Sequence, residues 1–410
     1  MKKVYFLCNG KTDLKRKWGS PINGIVEKFF NDKNYDVTSF YLNEELKKNH
    51  LHKTDQKKQE IIIKLNFIEK LISWFLNLIC IFHFIEKIKF NSFLKNFEKP
   101  DVIVCMNTFS GYLVKNIKCK KIIFVGERQS LLYKNQIINR FKENYIRGFF
   151  FLFKNIGFFI FADTSNIKLY KKFRHVFFWG YHDFLFFKKK ISLNNIEYIA
   201  NPISNIPSKK LSDKFESKEN KFFLEKLTKE KDKSNIVIIG HLKATHQIEG
   251  LIYFFNKVKR ELLNINIWDK LNIFIIGKFE PNQYLKKISN YQNVYFTGFV
   301  DDISIFYRFA DCNLVVSTPN LGNRSRIADF WINKTPVVAR LDNINFPQII
   351  HEYNALIGNN PNLIASNIKE VTTNKFLKNK IITNGYTTAI NSFGLDQFKM
   401  KLDRIININI

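Results

Sequence analysis

The residues with the most chemical content lie between Gly322 and Ala339, in GNRSRIADFWINKTPVVA. Two arginines, Arg324 and Arg326, flank Ser325 where a helix should begin, and Asp329 follows about one turn later. Asn323 or Ser325 can cap that helix, while Ile327, Ala328, Phe330 and Trp331 give it apolar contact. Pro336 then opens a short Val337-Val338 strand. The free N–H groups and dipole of a helix start attract anions. Cations placed there oppose the dipole, which is a cost unless an anion occupies the site. The pattern has two readings. One is a diphosphate site, with Gly322 in its loop and a carboxylate beside it for sugar hydroxyls. The other is a plain, solvated helix start.

Other residues could approach an anionic ligand from strand ends. Gly126-Glu127-Arg128-Gln129 directly follows the strand Lys121 to Val125. Ligands in open α/β sheets bind beyond the carboxyl ends of strands, which makes the pair Glu127 and Arg128 a catalytic or acceptor-orienting candidate. An ordinary loop ion pair is the alternative. Gly240 ends the run IVIIG and is followed by His241 and Lys243, and Gly277 ends IFIIG. Near the N-terminus, Gly19 and Gly24 lie in a loop after the run VYFLC. Glycines at such positions let backbone N–H groups come close to phosphate. The spacing is not GxGxxG, so the dinucleotide fingerprint is absent.

The elements that must position these residues form two series. Val4 to Cys8, a helix from Ile22 to Asn31 and a strand from Asp36 to Tyr41 make a βαβ beginning. Asn43 to Gln59 is polar and Lys-rich, and Glu60 to Phe97 reads as one long helical region. Strands at Val102 to Met106 and Lys121 to Val125 follow, and Ile196 to Ala200 closes the first half at Asn201-Pro202-Ile203. Pro207 to Ser234 is charged and strand-poor, the mark of a boundary. A second series then runs through strands at Ile236 to Ile239, Leu271 to Ile276, Val294 to Thr297 and Cys312 to Val316, with a final helix over Leu395 to Ile406. The fold class is α/β: two Rossmann-like parallel-sheet domains with a cleft between them.

Composition agrees with this and narrows the partners. A chain of 410 residues, 45% hydrophobic and 25% charged, suits two globular domains with their own cores. The net charge of +29 implies an anionic partner or surface, although AT-rich coding bias accounts for about half of it. The five cysteines show no zinc-type spacing, and several sit in apolar runs, as free thiols of a reducing cytoplasm do. No stretch reaches the roughly 18 to 20 uninterrupted apolar residues of a spanning helix. Leu71 to Ile85 comes nearest, and Phe149 to Ala162 is second but carries Lys154. The first of these can lie on an anionic membrane with Trp74, Phe75, Phe82 and Phe84 inserted, or pack as core. The expectation is a cytoplasmic protein, soluble or peripheral to a membrane.

Four landmarks of the second half come in a familiar order: IVIIG, IFIIGKF, VYFTGFVDDISIFYRFADCNLVV and RIADFWINKTPVVA. With IEYIANPI at the junction, they resemble the group-1 (family 4) glycosyltransferases of the GT-B fold over about residues 196 to 360. The resemblance implies transfer of a sugar from a nucleotide-sugar donor to a saccharide or lipid-linked acceptor, with retention at the anomeric carbon. It places the acceptor on residues 1–203, the donor on 204–385, and returns a terminal helix, 386–410, to the first domain. It implies no metal and no cofactor, and no D-x-D sequence is present around the adjacent Asp301-Asp302. Asp329 matches the family's second donor-loop glutamate, which binds ribose, but the first falls on Leu321. The family's Arg/Lys pair after the first strand is replaced by His241 and His246, with Lys243 between them. Arg324 and Arg326 are the replacements for the diphosphate, and His241 ranks below them.

The leading expectation is a glycosyltransferase of bacterial surface polysaccharide biosynthesis. A catalytically silent GT-B protein that docks or assembles others is the alternative, motivated by Leu321 and the altered basic pair. The charge alone also suggests nucleic acid, but no RNA- or DNA-reading motif accompanies it.

Overall fold

In the computed structural model the described residues are 1–9, 22–43, 57–79, 81–191, 195–203, 218–230, 232–240, 242, 245–278, 288–300, 303–316, 325–341 and 347–407. The chain divides into two compact units, Met1–Ala200 and, beyond it, Asn201–Asn320 with Arg324–Ile410.

The first unit opens with β1 (Lys3–Asn9), α1 (Ile22–Asp32), β2 (Asp36–Asn43) and β3 (Lys58–Ile62). Then come α2 (Phe67–Leu78), α3 (Phe84–Leu94), β4 (Val102–Cys105), α4 (Thr108–Val114) and β5 (Lys120–Val125). It closes with α5 (Gln129–Glu143), α6 (Tyr145–Tyr170), β6 (His175–Phe178), α7 (Tyr181–Lys190) and β7 (Ile196–Tyr198). The strands pair in parallel in the order β3-β2-β1-β4-β5-β6-β7. Parallel strands are covered by helices on both faces, so they must be apolar throughout rather than alternating. VYFLC in β1 and IIFV in β5 satisfy this, and every one of those side chains is buried.

The second unit begins with α8 (Lys218–Lys229), β8 (Ser234–Ile239) and α9 (Thr245–Tyr253), which runs through a π turn at Phe254–Val258 into α10 (Lys259–Asn264). β9 (Leu271–Ile276), β10 (Val294–Gly298), α11 (Ser304–Phe309), β11 (Cys312–Val315), α12 (Ser325–Ile332) and β12 (Val337–Arg340) follow. β13 (Leu356–Gly358), α13 (Pro361–Thr373), α14 (Lys375–Phe393) and α15 (Leu395–Asn407) complete it. Its parallel sheet has the order β10-β9-β8-β11-β12-β13. Both sheets thus reverse their winding beside the first strand of each series, between β1 and β4 and between β8 and β11. Those reversals are where a doubly wound sheet leaves room for a ligand. Two parallel α/β sheets are the expected fold class.

Three expectations change. Glu60 to Phe97 is not one helical region: residues up to Ile62 are an edge strand, and the remainder splits into α2 and α3. Asn66 and Glu69 form a reciprocal capping box at the start of α2, and His83, in the left-handed region at φ 56°, breaks the chain before α3. Phe82 therefore points into the core, stacked on Phe158 with ring centroids 4.5 Å apart, and cannot insert into a membrane. Phe75, by contrast, is 59% exposed.

The third change concerns α6, a single helix of 26 residues. Among the described residues it is the one helix long and apolar enough to cross a membrane by length and composition. Counting uninterrupted apolar residues missed it because Arg147 and Lys154 break the run. One face of its second half, with Gly157, Phe158, Ala162, Leu169 and Tyr170 buried, packs into the core.

Candidate functional site

The second unit gathers its polar groups at the carboxyl ends of β8, β9 and β11. Gly240 follows β8 and donates its N–H to the Ile276 carbonyl at 2.9 Å. Gly277 follows β9 at φ +144°, a conformation that side chains resist. A Cβ there would lie 1.7 Å from the Gly240 carbonyl oxygen, so the two strand ends meet backbone to backbone.

α12 starts beyond β11, and Arg326 in its first turn reaches back across the reversal. Its Nη1 donates to the Ile239 carbonyl at the end of β8, at 2.6 Å. Asp329 lies one turn on in the same helix; burial pushes its carboxyl up to about 6, and the charge of Arg326 opposes that rise. Tyr307 of α11 is buried near both, and burial raises its phenol well above the ordinary value. The apolar side of α12 fixes the helix. Phe330 meets the Tyr307 ring edge-on, with centroids 5.7 Å apart, and Trp331 Nε1 donates to the Asn354 carbonyl at 2.7 Å.

Of the residues named from the sequence, Gly240, Gly277, Arg326 and Asp329 are gathered at these strand and helix ends, and Ser325 begins α12. Gly19, His241, Lys243, Gly322, Asn323 and Arg324 lie outside the described residues. Arg326 differs from expectation in one respect. One of its nitrogens is already committed to a protein carbonyl, because the end of β8 offers an acceptor that the helix start can reach.

The first unit holds a separate group. Gly24 is buried in the first turn of α1 rather than in the preceding loop, because the helix already begins at Ile22. At the end of β5, Arg128 is held firmly. Its Nε and Nη2 donate to Asp163 Oδ2 at 3.0 and 2.6 Å, and its guanidinium lies 3.5 Å above the Phe186 ring. Ser130 joins them by donating to Asp163 Oδ1 at 2.7 Å. This network ties the start of α5 to α6 and α7. Glu127, the neighbouring candidate, is exposed at the same strand end. Asp183 of α7 is buried, and its carboxyl is pushed up to about 7 by burial first and then by Glu127, against the pull of Arg128.

Sequence reading missed Tyr307, Asp163 and Asp183. Tyr307 sits in a helix of ordinary amphipathic pattern, and Asp163 lies 35 residues from the arginine it pairs with. For Asp183 the available signal was its place just after the turn that ends β6.

Residues 233–374 match the family described as Glycosyl transferases group 1. This stretch is a group 1 glycosyltransferase domain. It contains β8 to β13 and therefore the whole Gly240–Gly277–Arg326–Asp329 group. None of the curated proteins compared matches the sequence. Solved structures do match along the full chain, with GT-B glycosyltransferases among them. A sucrose-phosphate synthase from Thermosynechococcus elongatus superposes with a TM-score of 0.66 at 9% identity, over 100% of this chain and 99% of its own. Anabaena HepE, solved with UDP and glucose, gives 0.62 at 10% identity over 100% of both chains. A trehalose-6-phosphate structure from E. coli, bound with UDP-2-fluoro glucose, gives 0.68 at 11% identity, again over 100% of both. At these identities the likeness speaks for the fold. The glycosyltransferase domain is thus set in a chain that has the GT-B fold from end to end.

Proposed function

We propose that the protein is a retaining, metal-independent glycosyltransferase that moves a sugar from a nucleotide-diphosphate sugar to a saccharide or lipid-linked acceptor. The product belongs to bacterial surface polysaccharide or glycoconjugate, made at the inner face of the plasma membrane. The observation that carries this reading is the Arg326–Asp329 pair at the β8/β11 reversal of a group 1 domain. Asp329 supplies acceptor oxygens for ribose hydroxyls. Arg326 and Arg324 supply positive charge for the diphosphate beside Ser325 at the start of α12, and Gly322 and Asn323 are further candidates of the same donor stretch. Gly240 and Gly277, whose own N–H groups bond the Ile276 and Gly298 carbonyls, keep side chains clear of the strand ends so that phosphate can approach the backbone, and His241 and Lys243 are further donor-binding candidates. Positive charge aimed at the leaving diphosphate favours the transition state more than the ground state, because negative charge develops there as the glycosidic bond breaks.

The first unit takes the acceptor. Glu127 orients its hydroxyls, and Arg128, pinned by Asp163, holds the strand end in place as a positioning residue. The leaving phosphate itself accepts the proton of the attacking hydroxyl, so no separate base is required. Because HepE was solved with UDP-glucose, UDP-sugars are the first donors to try.

A panel of nucleoside-diphosphate sugars, with sugar and lipid-linked acceptors, tests the reading by product formation. The expected product keeps the donor's anomeric configuration and forms at an unchanged rate in a metal chelator. The inward bond of Arg326 favours a second reading, a catalytically silent GT-B protein that docks or assembles others. Donor binding with no transfer to any acceptor would select it.

A further inference from the structure

We propose that the exposed apolar faces of α2 and α6 seat the protein on the surface of an anionic phospholipid bilayer, with both helices lying in the interface plane. This sharpens the membrane placement proposed above by naming the surface that makes it. On α2, Phe67, Ile68, Leu71 and Phe75 recur at helical spacing and are 81, 66, 56 and 59% exposed. On α6, Ile146, Phe149, Phe150, Phe153 and Ile160 do the same, between 54 and 69% exposed. The two stripes adjoin. The Trp74 and Phe153 rings are 5.1 Å apart, and a Cβ on Gly157 would lie 2.1 Å from the Asn77 carbonyl oxygen. Single exposed apolar residues are ordinary on any protein, but a continuous face of this size marks an interaction surface.

The charges around the face select its occupant. From Tyr145 to Ala162 the only charged residues are Arg147 and Lys154, and both are exposed. On α2 they are Lys70, exposed, and Glu69, whose carboxylate already accepts from Lys89 Nζ at 2.6 Å and from the Asn66 N–H at 2.8 Å. An apolar face with a basic rim complements anionic headgroups over acyl chains. A second copy would bring the same basic rim against it, and like charges across an interface disfavour that pairing. Nor does α6 leave the unit to span the bilayer. One face of its second half packs into the core, and Asp163 holds Arg128 at 2.6 Å.

The test is flotation of the purified full-length protein with phosphatidylcholine vesicles, with and without phosphatidylglycerol, read without donor or acceptor. Failure here therefore leaves the donor-site reading untouched. The expected result is flotation with anionic vesicles that weakens in high salt. Phe75→Ser with Phe150→Ser, at an unchanged melting temperature, should lower the partition coefficient at least about tenfold, since affinity follows the apolar area inserted. Lys70→Gln with Lys154→Gln should lower it roughly fivefold per side chain, and this pair carries the test if the phenylalanine variant does not fold. Wild-type protein that stays with the pellet, or variants that float equally well, would overturn the proposal. So would sedimentation showing a dimer that the phenylalanine variant dissolves, because the face would then join two copies.

Discussion

Arg326 links two distant parts of the second unit through one side chain, since the carbonyl it binds lies 87 residues earlier. Replacing it with Met leaves the Ile239 carbonyl without that donor and Asp329 without its neighbouring cation. The expected cost is about 1–3 kcal/mol of unfolding free energy, measured by urea titration. Asp329 makes a pH prediction with a definite sign. Its carboxyl titrates near 6, so it is ionised and a full acceptor above that value and becomes protonated below it. Donor affinity should fall as pH drops through about 6. Isothermal titration of Asp329→Asn should show weaker binding without that dependence. Asp183 behaves differently because its role concerns stability. Between its ordinary range near 4 and its raised value of about 7, the folded state binds more protons than the unfolded one. Stability should therefore decline as pH rises through that window, and Asp183→Asn should remove the slope from a series of thermal melts.

At the scale of elements, Gly277 holds two strand ends together. Any side chain there meets the Gly240 carbonyl and must also adopt φ +144°. Gly277→Ala should cost at least about 1–3 kcal/mol and weaken donor binding in parallel, which melting curves and titration can read together. The strands themselves were legible beforehand, because a parallel strand covered on both faces leaves an unbroken apolar run between turns. IVIIG and IFIIG therefore announce β8 and β9 and their glycines in one reading. The helices were legible only where polar residues interrupt them regularly. α2 and α3 merged into one stretch because the break at His83 comes from backbone conformation, which no residue type there advertises. β13, three residues long, was too short for any pattern to register. Asp329 could be found because a helix start concentrates its signals within a few residues. The Arg128–Asp163 pair could not, because only the folded α6 brings its members together.

At the scale of the whole molecule, each unit repeats the same doubly wound plan, and each collects polar groups at strand ends. The second unit has the basic side chains and glycine turns suited to a diphosphate. The first has the carboxylates and the apolar helical face on which the proposed acceptor and membrane contacts rest. The net charge of +29 fits both an anionic donor and an anionic surface. The claim on which the rest depends is that the Arg326–Asp329 site holds a nucleotide-diphosphate sugar. A thermal-shift screen of nucleoside diphosphates and their sugars against wild-type protein and Asp329→Ala tests it most directly. At least one donor should raise the wild-type melting temperature and leave the variant's unchanged, whereas no shift with any donor, or equal shifts in both proteins, would contradict it.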